Sequence, residues 1–191
     1  MRLARDLAKR FPDDTIVQLK YLPIIRAATI LGRGSGSKEA VKAIEVLATA
    51  VPYELGMDAA NMSLYPVYLR AEAYHAAEQG SAAVAEFRKI LNHPGVVASD
   101  IIGALACLGL GRAYALEARI DVAPGSAAHR PFSPAHIANS LGSQETTKDG
   151  AAANALANAL SAYQNFLTLW KEADPDIPIN RQAESEYAKL Q

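Results

Sequence analysis

The sequence predicts an all-α fold assembled from stacked helical hairpins, and three observations lead there. Half of the 191 residues are apolar but only 7% are aromatic, alanine is abundant, and alternating β-branched runs are scarce, a composition that favours helix. Proline- and glycine-bearing marks fall at FPDD (11–14), GRGSGS (32–37), VPYELG (51–56), NHPG (92–95), APGS (123–126), HRPFSP (129–134) and DPDIP (174–178), leaving segments of helical length between them. A small residue followed three positions later by tyrosine recurs, as Ala71 with Tyr74 and Gly111 with Tyr114. Such recurrence is expected when a helical hairpin cannot bury its own face and is repeated along the chain.

The elements follow in order. A helix over 1–11 carries Leu3, Leu7 and Phe11 as one apolar stripe with no segment before it to cover that stripe. Two expectations result: the chain is a piece of something longer, or this helix pairs with another copy. A first hairpin is expected over 14–50, where Ala27 and Ile30 occupy the small-then-large places and the second helix carries Ala43 and Leu47. A second hairpin over 64–92 joins Ala71 and Tyr74 to Ala83 and Phe87. A third spans 100–172 and begins with CLGLGRAYALEARID, but proline, glycine and polar residues follow where its second helix should stand. A last helix over 178–190 aligns Ile179, Ala183, Tyr187 and Leu190, with Arg181, Glu184 and Glu186 expected in solvent and Trp170 buried beneath it.

These patterns resemble the tetratricopeptide repeat (TPR), W-x2-L-G-x2-Y, then A-x3-F, then P, with a period of about 34 residues. Small side chains at Ala43, Ala71, Ala83, Gly111 and Ala159 let the two helices of a hairpin approach, while Leu47, Tyr74, Phe87, Tyr114 and Tyr163 fill the space between hairpins. The family's first tryptophan is missing, and Arg26 and Arg70 stand where it carries leucine. The resemblance implies a right-handed α-α superhelix of about three hairpins, with a leftover helix at the start and a capping helix at the end. FPDDTIVQLKYLP, VPYELG, LYPVYLRAEAY, EFRKILNHPG, LGRAYAL, YQNFLTLWKEADPDIP and YAKLQ narrow the likeness to the C-terminal TPR region of bacterial serine/threonine protein kinases. No glycine-rich loop with a strand lysine, HRD or DFG accompanies them, so kinase chemistry is not implied.

The interruption is measurable. Nine residues separate Tyr74 from Ala83 and 45 separate Tyr114 from Ala159, so an insertion over about 118–150 divides the third hairpin and its second helix is expected near 151–172. Closing a longer loop costs only about 0.6 kcal/mol per doubling of length. Inside the insertion, Ser133 as N-cap, Pro134 at the first helical position and Gly142 as a stop predict one short helix, with SQETTKDG as an exposed linker.

Composition narrows function. Nineteen Lys and Arg against twenty Asp and Glu give a net charge of −1, without the basic stripe of a nucleic-acid binder. No apolar run reaches membrane-spanning length, and the charged first residues do not form a signal peptide; a cytoplasmic location is favoured if the chain stands alone. Cys107 is the only cysteine and reads as a small buried hydrophobe. His129 and His136 lack a third ligand nearby, GRGSGS lacks the rest of a phosphate loop, and the His75–Glu78 spacing lacks the second histidine of a zinc protease.

No cofactor or metal is expected, and no catalytic constellation. The TPR resemblance implies a peptide- or protein-binding groove, whose positions fall on Tyr65, Tyr68, Glu72 and His75 in the second repeat and on Leu105, Leu108, Arg112 and Ala115 in the third. Aromatics beside charges suit peptide recognition. The other reading of Tyr68 and Leu108 is plain packing between repeats. A non-catalytic interaction scaffold is the expectation, with a self-association module and a detached regulatory region of a kinase as its alternatives.

Overall fold

The computed structural model describes residues 2–33, 36–56, 64–121, 145–174 and 176–191. These residues form an all-α structure with no strand among them. Helix α1 (Arg2–Arg10) is followed by a continuous helical stretch in which a π-helical turn (Val17–Tyr21) leads into α2 (Leu22–Leu31). Asp14 caps that stretch by accepting the Val17 N–H at 2.9 Å. The π-turn closes on a Leu22 N–H bond to the Val17 carbonyl, immediately before Pro23, which has no N–H of its own to give the ladder.

Helix α3 (Ser37–Leu47) runs into a 3₁₀ turn (Ala48–Tyr53), and α4 (Tyr65–Ala76), α5 (Gly80–Leu91) and the single turn α6 (Pro94–Val97) follow. Two long helices, α7 (Ile102–Asp121) and α8 (Glu145–Leu169), precede α9 (Pro178–Ala188). Packing follows chain order: α2 on α3, α3 on α4, α4 on α5, α5 on α7, α7 on α8 and α8 on α9, with α4 also touching α2 and α7. Of these interfaces the one between α7 and α8 is the most extensive.

Small residues mark the close approaches. A Cβ on Gly111 would lie 2.8 Å from the Tyr163 ring of α8, and one on Gly109 would lie 2.2 Å from the Phe87 ring of α5. Helix α7 therefore holds α5 and α8 against two glycine faces. Ala43, Leu47, Ala71, Ala83, Phe87, Gly111, Tyr114, Ala159 and Tyr163 are buried, while Tyr74 is half-buried. The largest core cluster is drawn from α4, α5, α7 and α8 and includes Val67, Phe87, Ile90 and Tyr114.

Several expectations are corrected. In α1 the buried residue is Ala4, with Leu7 and Ala8 half-buried, so Leu3 is 84% exposed and Phe11 46%. The neighbouring helix meets α1 on one side of its apolar arc, leaving the other flank uncovered. Trp170 is half-buried and stacks on Phe166 at 5.1 Å. Helix α8 starts at Glu145, within the stretch expected as linker; that stretch contains no proline, and its Gly150 is exposed with open space around it. The short helix expected after Ser133, together with His129, Phe132, His136, Ile137 and Leu141, lies outside the described residues.

Candidate functional site

On α4, Tyr65, Tyr68, Glu72 and His75 follow helical spacing and all are half-buried. Their environments differ. The Tyr65 hydroxyl donates to Asp100 Oδ1 at 3.4 Å, and the same carboxylate oxygen accepts the Ile102 N–H at 3.0 Å, which fixes the start of α7. Tyr68 meets Phe87 edge-on, with ring centroids 5.9 Å apart, so its body packs inward while its hydroxyl faces Glu72.

Helix α7 delivers Arg112 to the same face. Its guanidinium grips Glu186 of α9 through two parallel bonds, Nε to Oε2 at 2.8 Å and Nη2 to Oε1 at 3.1 Å. The Tyr163 hydroxyl donates to Glu186 Oε2 at 2.9 Å and Gln182 Nε2 to Oε1 at 2.8 Å. Glu186, expected in solvent, is thus the acceptor around which α7, α8 and α9 converge. Its sequence separation of 74 from Arg112 left no local signal for this pairing.

Titration behaviour follows from burial and from this guanidinium. Burial pushes the Glu72 carboxyl up, and the Arg112 charge only partly offsets that. His75 is held below its ordinary range by burial and then by Arg112. For Glu186, burial acts upward but the Arg112 and Tyr163 hydrogen bonds outweigh it, so the carboxylate sits below its ordinary value. Tyr68 and Tyr163 are both raised by burial and by their carboxylate neighbours. Glu72, His75, Arg112 and Glu186 therefore form one electrostatic unit.

The remaining sequence candidates behave differently. Leu108 is 1% exposed, in a cluster with Tyr163, Phe166 and Ala183, and Ala115 is buried as well. These two present no recognition surface: Leu108 is covered by residues of α8 and α9, and Ala115 belongs to the main cluster shared by α4, α5, α7 and α8. Leu105 is half-buried. Glu78 is no partner for His75 on a helix face, since α4 ends at Ala76 and Glu78 follows it with a left-handed backbone, φ 59°. Cys107 is half-buried and its thiol is pushed up by burial, away from the reactive thiolate.

A second polar assembly was not foreseen. Glu54, 0% exposed, accepts from Arg70 and from Lys89 Nζ at 2.5 Å, and Arg70 Nη2 reaches Glu86 Oε2 at 2.6 Å. It ties the segment after α3 to α4 and α5. Arg70 is the residue at the motif's leucine position, and its burial without a partner would be costly. Among the described residues no group of three or more His, Cys, Asp or Glu could hold a metal ion, and no helix is long and apolar enough to cross a membrane. The sequence matches no protein-family model and no curated protein, and no solved structure matches it.

Proposed function

We propose that the chain is a TPR-like right-handed superhelix acting as a non-catalytic scaffold, with α2, α4 and α7 as the first helices of three hairpins and the α4–α7 face as the seat of a peptide or protein segment. The order of packing supports the architecture, because each helix meets its neighbours in the chain and the first helices also touch one another, the quasi-one-dimensional contact map of a repeat array. One observation carries the function: Tyr65, Glu72 and His75 of α4 share a face with Arg112 of α7, combining aromatic area with both signs of charge.

In this proposal Tyr65 supplies contact area, Glu72 and Arg112 set the orientation of the bound segment, and His75 lies between them. A peptide-display selection against the full chain, followed by affinity measurements on Tyr65→Ala and His75→Ala, tests it. Each substitution is expected to weaken the selected peptides by roughly tenfold, the scale of one moderate hot spot. Peptides that bind both variants with unchanged affinity would show that recognition occurs elsewhere.

A further inference from the structure

An apolar concavity adjoins the α4–α7 face at Asp100, the acceptor of the Tyr65 hydroxyl. Between the end of α5, α6, the start of α7 and the end of α8 is a cavity of about 420 Å³, walled by Leu91, Val97, Ala104 and Trp170. At its mouth stand Ile101, 52% exposed, and Leu169, 64% exposed. Leu91 and Cys107 also line a smaller cavity of about 170 Å³ that extends the furrow between α5 and α8 toward Tyr114. Exposed large apolar side chains gathered around a concavity mark a contact surface.

The complementary feature is at the other end of the element order. Leu3 and Phe11 project from α1, which packs on α2 and on the π-helical turn, away from the elements that bound the cavity. Leu3 and Phe11, the latter just past the end of α1, lie roughly 12 Å apart along the helix direction, two exposed apolar knobs on either side of Leu7, which packs inward.

Charge selects the pairing. Helix α1 carries Arg2, Arg5, Lys9 and Arg10 against Asp6 alone. The cavity is lined by Asp100, and Glu172, Asp174 and Asp176 follow Trp170 in the chain; Lys171 pairs with Glu172 and Arg181 with Asp176, so four carboxylates stand against two cations there. A basic, apolar-edged helix and an acidic-flanked apolar cavity attract, whereas two α1 helices brought together would repel.

We infer that the α5–α8 cavity receives helix α1 of a second copy of this chain, giving a head-to-tail contact. Leu3 enters beside Leu169 and Trp170, and the basic residues of α1 face the acidic segment after α8. Because the two surfaces differ, the contact is heterologous: every copy keeps one free α1 and one free cavity, so assembly extends rather than stopping at a symmetric dimer. The inference does not rest on the α4–α7 groove, which meets the cavity at Asp100.

Sedimentation velocity on the full chain over a wide concentration range, at low and at high salt, tests it, with Leu3→Asp and Leu169→Asp as variants. Both positions are exposed, and unchanged circular-dichroism melts verify that both variants fold. The wild type is expected to gain mass with concentration and to dissociate several-fold more readily at high salt. Each variant alone is expected to stay monomeric, while an equimolar mixture of the two forms a dimer and nothing larger, because one intact α1 and one intact cavity remain. A wild type that is monomeric throughout, or a mixture that stays monomeric, overturns the inference. So does association lost in Leu3→Asp but kept in Leu169→Asp, which would mean that α1 pairs with something other than this cavity.

Discussion

Arg70 shows how a single residue can depart from a motif and still serve the fold. It stands where the repeat pattern that the sequence resembles carries leucine, yet Glu54 and Glu86 hold it, and although burial acts to lower its pKa the two carboxylates raise it further above its ordinary value. Removing it leaves Glu54 buried with Lys89 as the remaining cation. Arg70→Met is expected to cost about 1–3 kcal/mol in urea unfolding, the scale of removing one hydrogen-bond partner from a buried group, because Lys89 still compensates Glu54. Combining it with Glu54→Gln should restore part of that loss; equal stability of the single and double variants would mean that the charge was not the cause. Glu78 offers a gain instead. It closes α4 with two bonds, its own N–H to the His75 carbonyl at 3.0 Å and the Gln79 N–H to the Tyr74 carbonyl at 2.9 Å, in a conformation where glycine is at ease. Glu78→Gly should therefore raise stability by about 1 kcal/mol, which the same unfolding curves would register.

At the scale of elements, the two glycine contacts of α7 set the helix approaches. Gly111→Ala gains helix propensity but forces the Tyr163 ring to move, and overpacking typically costs about 1–3 kcal/mol, so a net loss of stability is expected in thermal melts. A variant as stable as wild type would mean that α8 shifts freely. Helix α9 depends on pH through the groups that meet at its Glu186. That carboxylate is depressed below its ordinary 4.5, so its contribution is present above that value and lost as pH falls through the lower folded pKa. His75, depressed below 6.5, adds stability that likewise fades on acidification, below that value. Glu72 is raised, so its term has the opposite sign: fully present below 4.5 and lost as pH rises through the folded pKa. Acidification below 4.5 should loosen α9, and Trp170, clustered with Ile179 and Tyr187 of that helix, should report it as a shift in emission. Glu186→Gln should abolish that acid-induced change; a shift that persists would place its origin elsewhere.

Over the whole molecule, what could be read from the sequence was local. Helical segments and the small residues at Ala71, Ala83 and Gly111 depend on near neighbours and on period, so a one-dimensional pattern carries them. The pairings of Glu54 with Arg70 and of Arg112 with Glu186 depend on which helices become adjacent, and no spacing encodes that. Of the candidate groove, α4 contributed half-buried side chains at all four positions, whereas on α7 Leu108 was covered by elements whose docking the motif does not specify and Ala115 lay in the main cluster. The same dependence on neighbours predicts how the molecule opens. Helix α1 rests on a small cluster of Ala4, Val17 and Leu22, with Gln18 Nε2 donating to the Phe11 carbonyl at 2.6 Å and the Ala8 carbonyl at 3.2 Å. Helices α5 and α7 share the main cluster and are each flanked on both sides. An isolated helix as short as α1 is marginal in water, so its amides should exchange by local opening while those of central α7 exchange only on global unfolding. Native-state hydrogen exchange measured against denaturant should then give nearly flat free energies in α1 and denaturant-dependent ones in α7. Identical values in both helices would show one cooperative block in which the first helix is as firmly held as the centre.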